Sequence, residues 1–594
     1  MLQIGDENTQ FIIDVRTIDI QKLYSILTNP SILLVGHNLK FEYKHLLHAY
    51  GIKINNLYDT MLAEQILFNG VEFNKARIKQ PDSKFKDYDG FSLEDLIFRY
   101  LKKTVNKNTR LEFLNIKESQ FTLRQINYGA EDILLPLLIR NLQLKGIEEK
   151  TLQRTLDLEF KYLPVLGNME LNGMHFNKDR WKEAYDFNFP IYQIAKEELS
   201  FFVISNYNTS KFVDKQLNLF SNDFKCTINW TSPQQVIEFF KYLGICTEEI
   251  SKSTGKLTYT VNAKVVSASM LGVFKNADNI TKTFMNKYLK FKEAEQSVTT
   301  FGIKFFKYIN PITNRVHSNY KQIVKTGRSS SSNPNLQNIP AADMFRRAFN
   351  CPAGWRINNA DYGAQETLCL AEKSREPNII KLINEGGDMH CFVAKHINTE
   401  LMNLTDKEIK KDHSEKRQTA KLAGFAIQFG GTGFTISKNL SITKEAGEYV
   451  FDSYFKAFPK LKEYFEKVKK ETYKQGYILI DPITGRKQWF KKPKNKKETG
   501  AIDRKSLNSP IQGMAGNITK LAGVLFTEWV DCKNYNNVVK LTNIVHDEIN
   551  VEVKEKYAKE SAIALSYYME KAGAVWVKIV KLKADCSTVE YWSH

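Results

Sequence analysis

A few side chains in this chain of 594 residues could do chemistry together. The run RQTAKLAGFAIQFGG places Arg417, Lys421, Phe425 and Phe429 at intervals of four. Such positions advance about 40° each around a helix, so they form a slowly drifting stripe with the cations first and the rings after. Cations can grip the oxygens of a triphosphate, and phenyl rings can cover a base and a sugar. By itself the stripe equally suits an ordinary amphipathic helix whose phenylalanines are core. Two acidic sites add to it. Asp361 follows an apolar-alternating approach in RINNADYG, and Asp547 and Glu548 stand in the middle of the hairpin-like NIVHDEINVEV. A carboxylate inside a strand pair is costly to bury unless it is paired or holds a cation. Each site alone is more often a turn acid or a salt-bridge partner. Together they supply the oxygen ligands that two-metal phosphoryl transfer needs to bridge hard cations about 4 Å apart.

Elements must position these groups. Residues 1 to 150 read as mixed strand and helix: FIIDV and SILLVGHN as short buried strands, LEDLIFRYL and AEDILLPLLIRNL as amphipathic helices. MELNGMHF reads as a turn at Asn172-Gly173 between two strand-like pieces. TFMNKYLKFKEAEQSVTTFGIKFFKYI has helical spacing with lysines opposing an apolar stripe, a solvated face that would also suit a phosphate backbone. TGRSSSSNPNLQNIP reads as a loop before the Asp361 strand, and KKPKNKKETG, Lys491 to Gly500, as a solvated loop. No internal repeat or extended low-complexity segment occurs.

With 42% hydrophobic and 25% charged residues, the chain can bury more than one core. A formal net charge of +19 points to a polyanionic partner, nucleic acid first and an anionic membrane surface second. The start MLQIGDENTQ does not read as a secretory signal, and no apolar run is long enough to span a bilayer. Cys226, Cys246, Cys351, Cys369, Cys391, Cys532 and Cys586 are scattered without a C-x-x-C pair, which argues against a zinc site or a disulfide framework. A reducing, cytoplasmic setting is expected.

The ordered set TGRSSSSNPNLQNIP, DYGAQE, R-x3-K-x3-F-x3-F-G, SLNSPIQG and VHDE resembles a family A DNA polymerase of the bacterial DNA polymerase I and phage type. The resemblance implies a multidomain α+β fold: a ribonuclease-H-like 3′→5′ exonuclease-type domain, then a right hand of palm, thumb and fingers. It implies Asp361 and Asp547 as the aspartates that hold two Mg²⁺ ions, with Mn²⁺ as a substitute, and Glu548 as their supporting carboxylate. Lys421 matches the acid for the pyrophosphate leaving group. Arg417 and Lys421 match triphosphate-binding residues of the fingers helix, and His390 a further phosphate contact. Phe425 would pack on the incoming nucleotide. Glu366 matches the steric gate against a ribose 2′-hydroxyl. Arg328, Asn335, Gln337, Arg504, Asn508, Gln512 and His546 match contacts to primer, template or the minor groove, whose acceptors let pair shape be checked without reading sequence.

Two departures matter. The family usually has tyrosine where Phe429 stands, and that hydroxyl normally bonds the steric-gate glutamate, so Glu366 is expected to be held differently and ribonucleotide exclusion to be altered. Gly363-Ala364-Gln365 replaces the usual Ser-Gln-Ile, a variant associated with phage-type members. In the amino-terminal part, VGHNLKFEYKHL, YDTMLAEQIL and YGAEDILL resemble the second and third exonuclease motifs, with Asn38, Tyr128 and Asp132 in place. Glu42 occupies an aspartate position, one methylene longer, and the first motif, Asp-x-Glu, has no counterpart. The domain is expected to show no appreciable proofreading, whether as a structural remnant, a domain completed by a strand from another polypeptide, or a product of an alternative start. The expected divisions are 1–150 exonuclease-like, 151–200 linker helix and start of palm, 201–320 thumb, 321–380 palm, 381–500 fingers and 501–594 palm. The expected partners are primer-template DNA and deoxynucleoside triphosphates, with a processivity factor or separate exonuclease polypeptide as helpers and no membrane, for a monomer in the bacterial cytoplasm, phage-encoded. A nuclease and a catalytically silent DNA-binding subunit are the competing classes.

Overall fold

The computed structural model describes residues 1–593 apart from 74–76, 80–84, 88, 105–108, 110–111, 114–120, 209, 218–221, 246, 251–256, 272–273, 275–276 and 441. Its amino-terminal unit is mixed. Leu2–Gly5 pairs antiparallel with Gln10–Ile13, and Leu34–Gly36 pairs parallel with Leu57–Asp59. Helices Lys40–Tyr50, Thr60–Leu67, Leu93–Leu101 and Leu123–Glu149 pack around them. The last two start at reciprocal caps, Ser92 with Asp95 and Thr122 with Gln125, which satisfy N–H groups that a helix start leaves open. The core of this unit, Tyr43, Leu46, Ile52, Leu62 and Ile66 with Ile147, runs on into Leu156 and Leu163 of helix Gln153–Asn172.

A second core is aromatic. Helix Lys178–Tyr207 packs along helix Asn279–Thr299, burying Leu199 and Val203 against Phe284, Tyr288 and Phe291, with Trp230 and Phe239 from the intervening chain. Asp278 caps the second helix by accepting from Thr281 N–H, and Lys290 faces solvent opposite the rings.

The largest core surrounds a four-stranded antiparallel sheet in the order Val539–Val545, Glu548–Lys554, Trp355–Tyr362, Ala584–Val589. Side chains alternate across a strand. Asn358 and Tyr362 turn to helix Ala558–Trp576, where they reach the carbonyls of Ala558 and Met569 at 2.9 and 2.7 Å. Asn359 and Asp361 therefore occupy the opposite face. Helix Lys496–Cys532 packs against Ala558–Trp576, and the helices between residues 365 and 475 share the same core. No helix among the described residues is long and apolar enough to cross a membrane.

Several expected boundaries move. Met169–Asn172, expected as a strand, closes helix Gln153–Asn172. The chain then turns at Gly173 (φ +57°), where a Cβ would lie 2.8 Å from the Val316 carbonyl oxygen. Lys496 to Gly500, expected as loop, is the first turn and more of helix Lys496–Cys532, whose cap is Asn495. The expected divisions after 200, 320, 380 and 500 fall inside continuous elements, because those helices and that strand bridge neighbouring units.

One buried ion cluster ties the units together. Glu159 of helix Gln153–Asn172 is fully buried and accepts from Arg486 at 2.5 Å, Lys520 at 2.6 Å and Gln322 at 2.8 Å. These partners come from the hairpin Tyr477–Asp481/Arg486–Trp489, the long helix and the segment before Arg328. Glu159→Ala would leave two cations buried without their carboxylate, and should cost about 3–5 kcal/mol. Chemical denaturation should show this as a lower midpoint, whereas an exposed control such as Glu463→Ala should change little.

Candidate active site

The sheet register sets the geometry. Asp361 pairs directly with Glu548 on one side and with Asp585 on the other. Asp547 precedes Glu548 in the tight turn Val545-His546-Asp547-Glu548, where Val545 pairs with Glu548 and His546 takes φ +57°. Directly paired residues in antiparallel strands have Cα atoms about 4.5–5.5 Å apart, and consecutive Cα atoms lie about 3.8 Å apart. The Cα atoms of Asp361 and Asp547 are thus within about 9 Å of each other, a span over which two aspartate side chains can share a ligand. Burial pushes the Asp547 carboxyl above its ordinary range, with Glu366 adding to the rise and His546 and Arg328 opposing it. A carboxylate in such surroundings is stabilised by a hard cation. Two aspartates side by side are the donor set that a divalent ion with further oxygen ligands from water or phosphate would take.

Glu548 plays a different part from its neighbour. It is 3% exposed, and its Oε1 accepts from Asn359 Nδ2 at 2.5 Å, from Asn550 Nδ2 at 2.8 Å and from the Trp592 indole. Arg346 Nη1 lies 3.8 Å from its other oxygen, and the Arg346 guanidinium stacks 4.5 Å from the Trp592 ring centre. Glu548 was expected among the catalytic residues. Its carboxylate also anchors the hairpin to the central strand and to Trp592.

Helix Ser414–Gln428 carries the basic and aromatic stripe. Its core face is Ala420, Ala423, Gly424 and Ile427, whereas Phe425 and Phe429 are 43% and 38% exposed, so the rings are not core. Lys421 Nζ lies 6.0 Å from the Phe425 ring centre, and His390 stacks at a tilt 5.9 Å from the same ring. Burial lowers the His390 pKa below its ordinary value. Asp388 joins the two segments. Its Oδ1 caps helix Met389–Ile397 by accepting from His390 and Cys391 N–H, each at 2.9 Å, while its Oδ2 accepts from Arg417 at 2.7 Å and lies 3.1 Å from Lys410. The Arg417 and Lys410 cations hold the Asp388 carboxyl well below the usual carboxylate range, against its partial burial.

Three of the remaining expected site residues, Arg328, Gln337 and His546, share one small cavity. Glu366, in the first turn of helix Gln365–Ser374, is paired with Arg328 Nη2. Gln365 is buried and reaches Ala515 O and Thr519 Oγ1 at 3.3 Å, tying the variant Gly363-Ala364-Gln365 stretch to the long helix. Arg328, Gln337, Gly516, Lys520 and His546 line one small cavity, and Gln337 reaches Ile544 O at 3.3 Å. Asn335 caps the short turn Leu336–Asn338. Arg504, Asn508 and Gln512 follow one another at intervals of four on helix Lys496–Cys532, each partly or fully exposed. Arg504 packs on Gly430, where a Cβ would lie 3.0 Å from Arg504 Cγ.

In the amino-terminal unit Asn38 takes φ +62° and leads into helix Lys40–Tyr50, which carries Glu42. Protein packed around the Glu42 carboxyl pushes its pKa up to about 7, with Asp59 and Asp132 adding like charge, although the side chain reaches solvent. Tyr128 and Asp132 lie on helix Leu123–Glu149. Asp59 is buried and accepts from the backbone N–H of Asn38, Leu39, Met61 and Leu62 at 2.8–3.2 Å, so its carboxylate pins the turn that presents Glu42. Among the described residues no group of three or more His, Cys, Asp or Glu side chains is arranged to hold a metal by itself.

Sequence reading passed over Asp388, Arg346, Trp592, Asp585 and Asp59. Asp388 and Asp59 were legible as acids immediately ahead of an apolar helical run, the usual cap position. Arg346 and Trp592 gave no local signal, since their partner Glu548 lies far off in the chain.

Comparison with known proteins agrees with this architecture. A family model described as DNA polymerase family A matches residues 209–594, and one described as 3′-5′ exonuclease matches residues 1–145. DNA polymerase I of Borreliella burgdorferi is 27% identical over 97% of the chain and 57% of its own length, and that of Aquifex aeolicus 26% identical over 100% and 93%. The chain thus spans a little over half of the first of these relatives. Among solved structures, the POL domain of Pol1 from M. smegmatis, in complex with DNA primer-template and dNTP, matches with a TM-score of 0.76 at 22% identity, over 98% of this chain and 90% of that one. With the family model covering residues 209–594 and an exonuclease model matching residues 1–145, the chain belongs to DNA polymerase family A.

Proposed function

We propose that this chain is a template-directed DNA polymerase that adds deoxynucleotides to a primer 3′ end and releases pyrophosphate. The observation that carries the reading is the register that sets Asp361 beside the Asp547 turn. Asp361 and Asp547 are the residues that would hold divalent cations, two Mg²⁺ or Mn²⁺ in their place, which supply charge neutralisation on the triphosphate and a lowered pKa for the primer hydroxyl. Arg417 binds triphosphate oxygens from the fingers helix, with His390 beside it. Lys421 donates a proton to the departing pyrophosphate oxygen. Phe425 and Phe429 offer exposed rings to the base and sugar. Glu366 narrows the space at the sugar 2′ position. His546 lies near the primer end, and Arg328, Asn335, Gln337, Arg504, Asn508 and Gln512 contact primer, template or the minor groove. The net charge of +19 suits the DNA backbone.

In this reading the unit built on Lys178–Tyr207 and Asn279–Thr299 is the thumb, the sheet and its helices are the palm, and the helices between Pro377 and Gln475 are the fingers. The protein works as a monomer in the cytoplasm of a bacterial cell, phage-encoded, with a processivity factor or a separate exonuclease polypeptide as partner. The exonuclease-like unit gives no appreciable proofreading by this chain alone, because Glu42 stands one methylene long at an aspartate position and the Asp-x-Glu motif has no counterpart in the sequence.

Primer extension provides the test. Asp547→Ala should lower the extension rate by at least about 10³-fold, and Lys421→Ala by about 10²–10⁴-fold in kcat; primer-template binding should persist in both. Full activity of Asp547→Ala would refute the reading. Asp388→Ala frees Arg417 and uncaps the His390 helix together. It should raise KM for the incoming nucleotide by about tenfold or more, as loss of a charge-assisted bond does, with a smaller change in kcat. A mismatched 3′ end should release no nucleotide above the level seen with Asp132→Ala; release that this variant abolishes would show a working exonuclease.

A further inference from the structure

Glu366 is held from the palm side. Its carboxylate oxygen Oε1 is bonded by Arg328 Nη2, and the two side chains are 38% and 23% exposed, so the pair stands at the cleft wall. Phe429, which closes the fingers helix, carries no hydroxyl and cannot donate to that carboxylate. Arg328 follows Gly327, whose φ is +91°, and packs on Gly516 of helix Lys496–Cys532, where a Cβ would lie 3.0 Å from Arg328 Cγ. The absence of a side chain at Gly516 is what lets the guanidinium lie back along the helix toward Glu366. Arg328 also shares its cavity with Gln337 and with His546 of the Asp547 turn.

We propose that Arg328 is a specificity-determining residue in this chain: its guanidinium fixes the Glu366 carboxylate, so that exclusion of a ribose 2′-hydroxyl is set by an arginine of the palm rather than by a donor on the fingers. The inference rests on the polymerase reading above and deepens it. A glutamate with three rotatable torsions excludes a hydroxyl only if one bond holds its carboxylate in place; unheld, it swings aside at small cost. An arginine fork is suited to this holding, because its planar donors are pre-organised for a carboxylate. Arg328 also faces the primer side, and a poorly seated primer terminus that draws the guanidinium away would loosen the gate at the same time. Sugar selection and primer fit are thereby coupled through one side chain.

The test is a pair of measurements on the full chain with primer-template. One is the Kd of matched deoxy- and ribonucleoside triphosphates on a dideoxy-terminated primer, and the other is single-turnover incorporation on a normal primer. Arg328→Ala should shrink the preference for the deoxynucleotide by about tenfold or more, within the ~10²-fold range by which a pocket rejects an added hydroxyl. Arg328→Lys, which keeps a cation but loses the fork, should fall between. Introducing Phe429→Tyr should restore more of the preference in the Arg328→Ala background than it adds to the unmodified chain, because it supplies a second donor to the same carboxylate. Thermal unfolding of each variant confirms that it folds. An unchanged preference in Arg328→Ala, or a Phe429→Tyr gain of equal size in both backgrounds, overturns the proposal. An unmodified chain that incorporates neither nucleotide overturns the polymerase reading itself, a result distinct from incorporation with an Arg328-independent preference.

Discussion

The pairing of Asp361 with Glu548 across two antiparallel strands is the contact on which the rest depends. Side chains on a strand alternate with a period of two, and a slip of one residue would send Asp361 to the helix-covered face and bring Tyr362 to the open one. The register is held from both sides of the central strand. Asn358 and Tyr362 bond to carbonyls of helix Ala558–Trp576, and Asn359 bonds to Glu548 and Asn550 on the other face. Polar side chains in the middle of a sheet would destabilise it if unpaired, and here Asn358, Asn359, Tyr362 and Asn550 are each hydrogen-bonded. Their directionality, which apolar contacts lack, specifies which residue stands opposite which.

A common device appears at three places: a buried or half-buried carboxylate that holds together groups from segments remote in sequence. Glu159 gathers cations from the hairpin and the long helix, Asp388 joins the start of helix Met389–Ile397 to Arg417 of helix Ser414–Gln428, and Glu548 binds the hairpin to Trp592 and Arg346. Each accepts bonds from segments remote in sequence. Such anchors cost desolvation and are favourable only when every lone pair is used, so they fix geometry at sites where small displacements of a reacting group matter. Glu366 with Arg328 follows the same pattern at the cleft itself.

Much of this was legible in the chain. Asp361 and Asp547 were visible because each breaks an apolar strand pattern, and the stripe from Arg417 to Phe429 because its spacing matches a helix. The structure adds that the rings are exposed and the alanines buried, a distinction that spacing alone does not make. The long helices were harder. Helices Gln153–Asn172 and Lys496–Cys532 each contain a proline and polar buried positions, so their periodicity is blurred and parts read as strand or loop. Partners such as Arg346 and Trp592 were invisible because contacts with a glutamate so far along the chain leave no local trace, whereas the caps Asp388 and Asp59 did leave one.

The most direct measurement asks whether both aspartates touch one bound cation. Fe²⁺ substituted for Mg²⁺, in the complex with a dideoxy-terminated primer-template and the matched nucleotide, generates hydroxyl radicals that cut the nearest backbone when peroxide and ascorbate are added. The account predicts two cuts in the same molecule, one around Asp361 and one around Asp547, both abolished by Asp361→Ala and both abolished by Asp547→Ala. A cut confined to one segment, or one that survives loss of the other aspartate, would contradict it.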